Sequence, residues 1–169
     1  MRPDLTLDDS SLLAQCEVDT YRGSGPGGQK RNKTESAVRV RHLPTGIIVI
    51  AEESRSQAEN RGRALQRMRK ALALRLREPV EGEGVPEAVR ACIDKRGRLS
   101  VGQRDRRYLP AAAVVLDLLA ASSGSVSTVA ERLGLSTSNV SAFLTGDEEL
   151  LAQANRMRAE LGLKPLRRD

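Results

Sequence analysis

The chain has 169 residues, enough for one or two small domains with modest cores, and its 28 Lys and Arg against 22 Asp and Glu leave a net charge of +6. The surplus is concentrated between Tyr21 and Glu78, where fourteen bases face five acids, so this block should be attracted to a polyanion. The two cysteines are far apart in sequence, which excludes a disulfide framework and predicts a reduced cytoplasmic protein. The acidic N-terminus is unlike a targeting sequence, and no apolar run is long enough to span a bilayer.

The N-terminal region predicts a short helix, a strand and a loop. Asp8 to Gln15 begins with a capping aspartate and is typical of a short helix. Cys16 to Arg22 alternates apolar and polar side chains, which predicts a half-exposed strand. Gly23 to Gly28 contains four glycines and a proline in six positions, so we expect a loop there.

A hairpin and a long basic helix follow the loop. Ala37 to His42 alternates valine with arginine, Pro44-Thr45-Gly46 is typical of a turn, and Ile47 to Ile50 is a β-branched run. Ser56 with Glu59 forms a capping-box signature. The apolar stripe of the helix is predicted from residues at spacings of three and four, namely Ala58, Gly62, Leu65, Met68, Leu72 and Leu76. Its other faces carry arginines, for which a solvated helix surface is the alternative interpretation.

The second half of the chain is predicted to be helical. Pro79 to Pro86 has the composition of a linker, so we predict a domain over 1–78, a linker over 79–86 and a helical domain over 87–169. Helices are expected over approximately 109–121, 127–133 and 137–144, followed by one from Asp147 to about Leu161. Ala130, Gly134 and the apolar residues around them have helix-turn-helix spacing.

The glycine loop has several interpretations. Gly23, Gly25 and Gly28 match G-x-G-x-x-G, but a dinucleotide site needs a buried strand before the motif and an apolar-patterned helix after it, which the flanks do not provide. A P-loop fails because Gln29 stands where the lysine belongs. A merely flexible loop stays open. However, the loop ends in Gln29 and is flanked by cations, namely Arg22, Lys30, Arg31 and Lys33. A small uncharged tip among cations suits a narrow site that is lined by phosphates.

The residues from Arg22 to Gln29, which read RGSGPGGQ, resemble the catalytic domain of class I peptide chain release factors. The resemblance continues through Asn32, through Ser36 to Val40, and through His42 to Ile47. It implies an α+β fold in which a small domain of antiparallel strands, packed by the long basic helix, carries Gly27-Gly28-Gln29. An all-α domain with the helix-turn-helix pattern follows.

The resemblance also implies the function and the site. It identifies Gly27, Gly28 and Gln29 as catalytic in hydrolysis of peptidyl-tRNA at the peptidyl transferase centre, with the backbone N–H of Gln29 donating to the transition state and its side chain placing water. The implied partners are large-subunit ribosomal RNA and peptidyl-tRNA, with no cofactor or metal and a monomeric state. The expected RNA-binding residues are Arg22, Ser24, Lys30, Arg31, Asn32, Lys33, Arg39, Arg41, Arg55, Arg61 and Arg67.

Two departures from the family narrow the prediction. The chain has no room for the domains that read stop codons, so it is more similar to stand-alone homologues that rescue stalled ribosomes or clear large subunits. Arg31 stands where the family usually has an apolar residue. Two other functions stay open: a DNA-binding regulator, although the predicted recognition helix offers no Lys or Arg, and an RNA-binding factor without release activity.

Overall fold

The computed structural model describes residues 2–23 and 35–168, and within them the chain combines a three-stranded antiparallel sheet with seven helices. These residues form two compact units: the sheet unit, within Leu7–Leu72, and the helical unit, residues 2–6 with those from Ala73 onward. The domain division expected above stays a prediction. In chain order the elements are α1 (Asp9–Leu13), β1 (Cys16–Tyr21), β2 (Ala37–His42), β3 (Ile48–Ala51), α2 (Gln57–Arg75), α3 (Glu87–Arg90), α4 (Tyr108–Ala121), α5 (Val126–Leu133), α6 (Thr137–Thr145) and α7 (Glu148–Glu160).

The sheet has the order β1-β2-β3, and its strands lie within about one residue of the predicted ranges. Cys16 pairs with His42 and Tyr21 with Ala37, while Val40 pairs with Val49 on the other side of β2. Because side chains alternate across a strand, β2 and β3 bury one row and expose the other. The buried row is Val38, Val40, His42, Val49 and Ala51, and the exposed row is Arg39, Arg41, Ile48 and Ile50.

Helix α2 begins at the predicted cap, with a different hydrogen-bond arrangement. The N–H of Glu59 donates to the Ser56 hydroxyl at 3.3 Å, which is half of a capping box. The Glu59 carboxylate accepts from the Ser54 hydroxyl at 2.5 Å, and that hydroxyl accepts the Ser56 N–H at 3.0 Å. The Ser54 hydroxyl therefore bridges the Ser56 N–H and the Glu59 carboxylate, which bond directly in a standard capping box.

The buried stripe of α2 differs from the prediction. The expectation for Ala58 was wrong, because this residue is exposed. The stripe begins instead at Asn60, a polar residue that no hydrophobic pattern includes. Asn60 can be buried because its amide is fully used by backbone partners. The stripe comprises Asn60, Ala64, Leu65, Met68, Ala71 and Leu72.

The helical unit is built on α4, whose Val115, Leu116, Leu118 and Leu119 are fully buried. Within this apolar helix Asp117 is also buried, and its carboxylate pairs with Arg2 at 2.8 Å and with Arg77 at 3.0 Å. These two guanidinium groups compensate the negative charge of the buried carboxylate. Burial lowers the pKa of Arg77 to about 10, against the attraction of Asp117.

The predicted helix-turn-helix elements occur as α5, a turn and α6. Helix α5 ends at Gly134, whose φ of 64° lies in the left-handed region that favours glycine. Ser136 caps α6 by accepting the Asn139 N–H, and Asp147 caps α7. Helices α5 and α6 pack against each other, and α6 packs against α7.

Two elements of the helical unit were not predicted. One is the short helix α3. The other is a tight turn over residues 93–99, which we call the basic hairpin, in which the Asp94 N–H donates to the Arg98 carbonyl at 2.8 Å and Ile93 bridges Leu99. No single helix in the described part of the chain is long and apolar enough to cross a membrane; α4 and α5 meet that length and composition only together, across a 120° bend.

Candidate functional site

The structure describes the frame around the predicted catalytic segment. Tyr21 at the end of β1 and Ala37 at the start of β2 are register partners, so residues 22–36 connect two adjacent strands at one end of the sheet. Gly27-Gly28-Gln29 belongs to this connection. Of the fourteen predicted site residues, eight lie outside the described residues: Ser24, Gly27, Gly28, Gln29, Lys30, Arg31, Asn32 and Lys33.

One buried amide fixes the point where the connection returns to the sheet. The Asn60 side chain is fully buried and its Nδ2 donates to the Ser36 carbonyl at 2.6 Å and to the Ser54 carbonyl at 2.8 Å. Its Oδ1 accepts the Ser54 N–H at 3.0 Å. A single side chain from α2 therefore holds the residue before β2 and the loop before α2. No sequence pattern predicts this role, because both partners are backbone groups.

The outer face of the sheet presents two cross-strand rows of the same composition. In one row Arg41 lies between Glu17 and Ile48, and in the other Arg39 lies between Asp19 and Ile50. The rows differ in pairing, because Arg39 binds Asp19 at 2.6 Å whereas Arg41 has no ion pair within the described residues. The bond with Asp19 raises the pKa of Arg39. Arg41 is therefore the more available cation of the two.

The arginines on α2 and in the loops divide in the same way. Arg67 donates to the Ile50 carbonyl and pairs with Glu53, and this bond lowers the pKa of the Glu53 carboxyl. Arg22, Arg55 and Arg61 are exposed, and none forms an ion pair in the part of the chain that the structure describes. Exposed ion pairs contribute at most about 1 kcal/mol, so a phosphate could displace the carboxylates of Arg39 and Arg67. The four other described arginines among the predicted site residues need no such exchange.

His42, the only histidine of the chain, has a structural environment. It is fully buried, with Nδ1 2.8 Å from the Thr45 hydroxyl and Nε2 3.1 Å from the Gln15 side-chain oxygen. Because a carboxamide oxygen only accepts, Nε2 carries the proton and Nδ1 accepts from Thr45. Burial lowers the pKa of His42. A ring with both nitrogens engaged and no exposed surface cannot act on a substrate.

The two cysteines are also unsuited to nucleophilic catalysis. Cys16 is half-buried, Cys92 is buried, and burial raises the pKa of both thiols. A raised pKa disfavours the nucleophilic thiolate. Within residues 2–23 and 35–168, no group of three or more His, Cys, Asp or Glu side chains is placed to hold a metal ion. The described frame thus supplies cations and anchoring.

The fold is that of a mixed α and β protein, and exposed arginines make its sheet unit cationic. A family model described as the RF-1 domain matches residues 10–110, a range that contains all fourteen predicted site residues. The chain therefore belongs to the RF-1 domain family, that is, to the class I release factor family. This confirms the resemblance seen in the sequence.

Similar proteins carry names from the same family. The chain is 36% identical over 153 residues to peptide chain release factor 2 of Paramagnetospirillum magneticum, covering 90% of this chain and 36% of that protein. It is 48% identical over 80 residues to peptide chain release factor 1 of Erythrobacter litoralis, covering 47% of this chain and 21% of that protein. The chain thus spans about a third or less of the length of these relatives.

Proposed function

We propose that this chain promotes hydrolysis of the peptidyl-tRNA ester on the large ribosomal subunit, with Gly27-Gly28-Gln29 as the group presented to the reaction. The family match over residues 10–110, which includes this tripeptide, carries the proposal. The proposed substrates are peptidyl-tRNA on stalled ribosomes that display no stop codon and peptidyl-tRNA on separated large subunits. Release in the proposed reaction does not depend on a codon.

The chemistry of the described residues supports a reaction that depends on the ribosome. His42 is buried and both cysteine thiols have raised pKa values, so these groups offer no general base or nucleophile. In the proposed reaction, ribosomal RNA supplies the cavity and most of the electrostatic stabilisation. The protein contributes a donor at the ester and access for water.

Each residue of the tripeptide has a distinct proposed role. The backbone N–H of Gln29 donates to the oxygen on which charge develops, and its side chain orients water. Gly28 leaves the backbone free to adopt the required conformation, because a β-carbon would restrict it and obstruct close approach. Loss of one such donor costs about 3 kcal/mol, on the order of a hundredfold in rate.

The six described arginines among the predicted site residues are the proposed contacts to ribosomal RNA. Arg22, Arg41, Arg55 and Arg61 are exposed and have no ion pair in the described ranges, so they can neutralise phosphates without first releasing a carboxylate. Arg39 and Arg67 are secondary contacts because each is already paired. The exposure and the ion pairs of these residues support this order, which can be tested residue by residue.

The proposal is tested by single-turnover peptide release on three substrates. These are ribosomes stalled on a truncated message, ribosomes with a stop codon in the decoding site, and isolated large subunits carrying peptidyl-tRNA. We expect release on the first or third substrate, and no acceleration by the stop codon. Gly28→Ala should abolish release, whereas Gln29→Ala should slow it partially, since the backbone donor remains.

Gly62→Ala is the matched control for Gly28→Ala. Gly62 lies inside α2, a β-carbon there would meet nothing within 4 Å, and its backbone is helical. The same chemical change should therefore leave release intact and, if anything, stabilise the helix by up to about 1 kcal/mol. Equal release by wild type and Gly28→Ala would refute the mechanism. Release that requires the stop codon would refute codon independence.

A further inference from the structure

An open cleft of about 580 Å³ runs along the exposed side of α6 in the helical unit. Its surface is rich in hydroxyl groups and includes one guanidinium from the C-terminal segment. We call it the α6 cleft. Its lining residues are Thr137, Ser138, Ser141, Ala142, Thr145, Gly146 and Arg168.

The basic hairpin is fastened to the same helix. The Leu99 N–H donates to the Asn139 side-chain oxygen at 2.8 Å, and Asn139 Nδ2 donates to the Leu99 carbonyl at 3.1 Å. Asp94 closes the hairpin by accepting the N–H groups of Arg96 and Arg98. Lys95 and Arg96 at its tip are exposed and form no ion pair within the described residues.

Helix geometry places the basic hairpin beside one edge of the cleft, and Arg168 contributes to the lining. At about 100° per residue, the cleft residues Thr137 and Ser141 occupy one edge of the exposed surface of α6. Asn139, which holds the hairpin, follows Ala142 at the opposite edge, and Gln103 continues the wall by donating to the Gly146 carbonyl at 3.0 Å. A cationic segment therefore lies beside the uncharged surface of α6, and one guanidinium belongs to the lining of the cleft.

The positive charge near α6 comes from distant parts of the sequence. Residues 93–107 contain six bases and two acids, a net charge of +4, whereas α6 contains no charged residue. The recognition helix alone offers no Lys or Arg, which weakens any nucleic-acid interpretation of the sequence. Folding supplies those cations from a segment about 40 positions earlier, joined through Asn139. A hydroxyl-lined cleft with one guanidinium in its lining and a cationic segment beside it is complementary to a sugar-phosphate backbone.

The aromatic residues of the helical unit indicate which nucleic acid fits. Tyr108 and Phe143 contact each other with ring centroids 5.7 Å apart, and Tyr108 is buried. The described part of this unit therefore presents no free aromatic platform on which unpaired bases could stack, as single-strand binding needs. Serine and threonine hydroxyls can both donate to phosphate oxygens and pair with 2′-hydroxyls. These features favour double-stranded RNA.

We propose that the α6 cleft binds the backbone of an RNA double helix without reading its sequence. The identification of that duplex as ribosomal RNA rests on the proposed function, but the binding itself does not. The basic hairpin and Arg168 contact phosphates, and the hydroxyls of α6 contact the sugar-phosphate surface.

A matched pair of serines tests the cleft. Ser138 is the second residue of α6 and its hydroxyl lies 3.1 Å from that of the cap Ser136; Ser127 is the second residue of α5 and its hydroxyl lies 3.1 Å from that of the cap Ser125. Both are exposed, and Ser127 does not line the cleft. An aspartate at either place adds one negative charge at a helix N-terminus, so both variants should fold equally well.

Binding of the full chain to an RNA duplex of about 20 base pairs is measured by fluorescence anisotropy. Ser138→Asp should weaken binding about fivefold to tenfold, and Ser127→Asp less than about twofold. Lys95→Ala with Arg96→Ala should reduce the log–log salt slope by about 0.9 for each cation that contacts a phosphate. Hydrogen exchange should show RNA-dependent protection of residues 93–107 and 136–146, a readout that the sheet unit cannot supply.

Several outcomes overturn the proposal. Equal RNA affinities for Ser138→Asp and Ser127→Asp would do so, as would no protection of the two segments. Tighter binding to a DNA duplex of the same sequence, or to single-stranded RNA, would assign the cleft to another ligand. Peptide release distinguishes the two proposals: if Ser138→Asp changes neither binding nor release while Gly28→Ala abolishes release, only the cleft fails. Absent release with intact, Ser138-dependent RNA binding means that only the proposed function fails.

Discussion

Replacement of Asn60 should loosen the frame around residues 22–36. Asn60→Ala removes three hydrogen bonds and leaves the buried Ser36 carbonyl and both backbone groups of Ser54 without that partner. An unsatisfied buried group costs about 1 to 3 kcal/mol, and partial relaxation makes about 3 kcal/mol a reasonable total. Asn60→Asp should cost at least as much, because a carboxylate would face two carbonyl oxygens now 2.6 and 2.8 Å from the amide nitrogen.

Hydrogen exchange measures this loss locally. A decrease of about 3 kcal/mol accelerates exchange of the most protected amides on the order of a hundredfold, since 1.4 kcal/mol corresponds to a factor of ten. The effect should appear in β2 and the first half of α2.

Asn155→Ala is the control. This half-buried asparagine makes the same donor-acceptor pair with the backbone of Leu166, at 3.0 and 2.7 Å, and its loss should cost about 1 kcal/mol within the helical unit. Acceleration of less than about threefold in β2 for both Asn60 variants would contradict the role assigned to this side chain.

Other changes have equally definite outcomes. Burial holds the pKa of His42 below its usual 6.5. The free energy of unfolding should therefore be highest, with respect to this group, above about pH 6.5, and should fall as the pH drops toward the lowered pKa, because the unfolded state takes up the proton first. His42→Gln should remove that part of the pH dependence in urea titrations. Arg41→Ala should lower the salt slope of large-subunit binding by about 0.7 to 0.9, and Arg39→Ala by less, because Asp19 already pairs with Arg39; equal slopes would contradict this ordering. Asp117→Asn should cost about 3 to 5 kcal/mol in urea denaturation, because two guanidinium groups lose their buried carboxylate.

The elements that the sequence predicts well are those in which local chemistry and burial agree. Alternation in β2 gives its buried and exposed rows, and the predicted caps Asp8 and Asp147 lie where the helices α1 and α7 begin. In each case the signal lies within a few residues of the element. A hydrophobic period or a capping side chain is enough to define such a boundary.

The contacts that the sequence does not predict join distant residues through polar groups. Asn60 reaches the Ser36 carbonyl across 24 positions, and Asn139 reaches Leu99 across 40. Their backbone partners carry no residue-specific signal, and an asparagine in a helix is usually assigned to the solvent side. The same limitation affects the predicted RNA contacts, because sequence alone does not distinguish the paired Arg39 from the available Arg41.

The bond between Arg2 and Asp117 also has a consequence for the time course of synthesis. The two residues are 115 positions apart, although both belong to the helical unit. At about 5 to 20 residues per second, Arg2 is made roughly 6 to 23 seconds before its carboxylate exists. The sheet unit, continuous in sequence, can close during that interval. The helical unit is therefore the last to be completed, and substitutions in residues 2–6 should alter the stability of that unit.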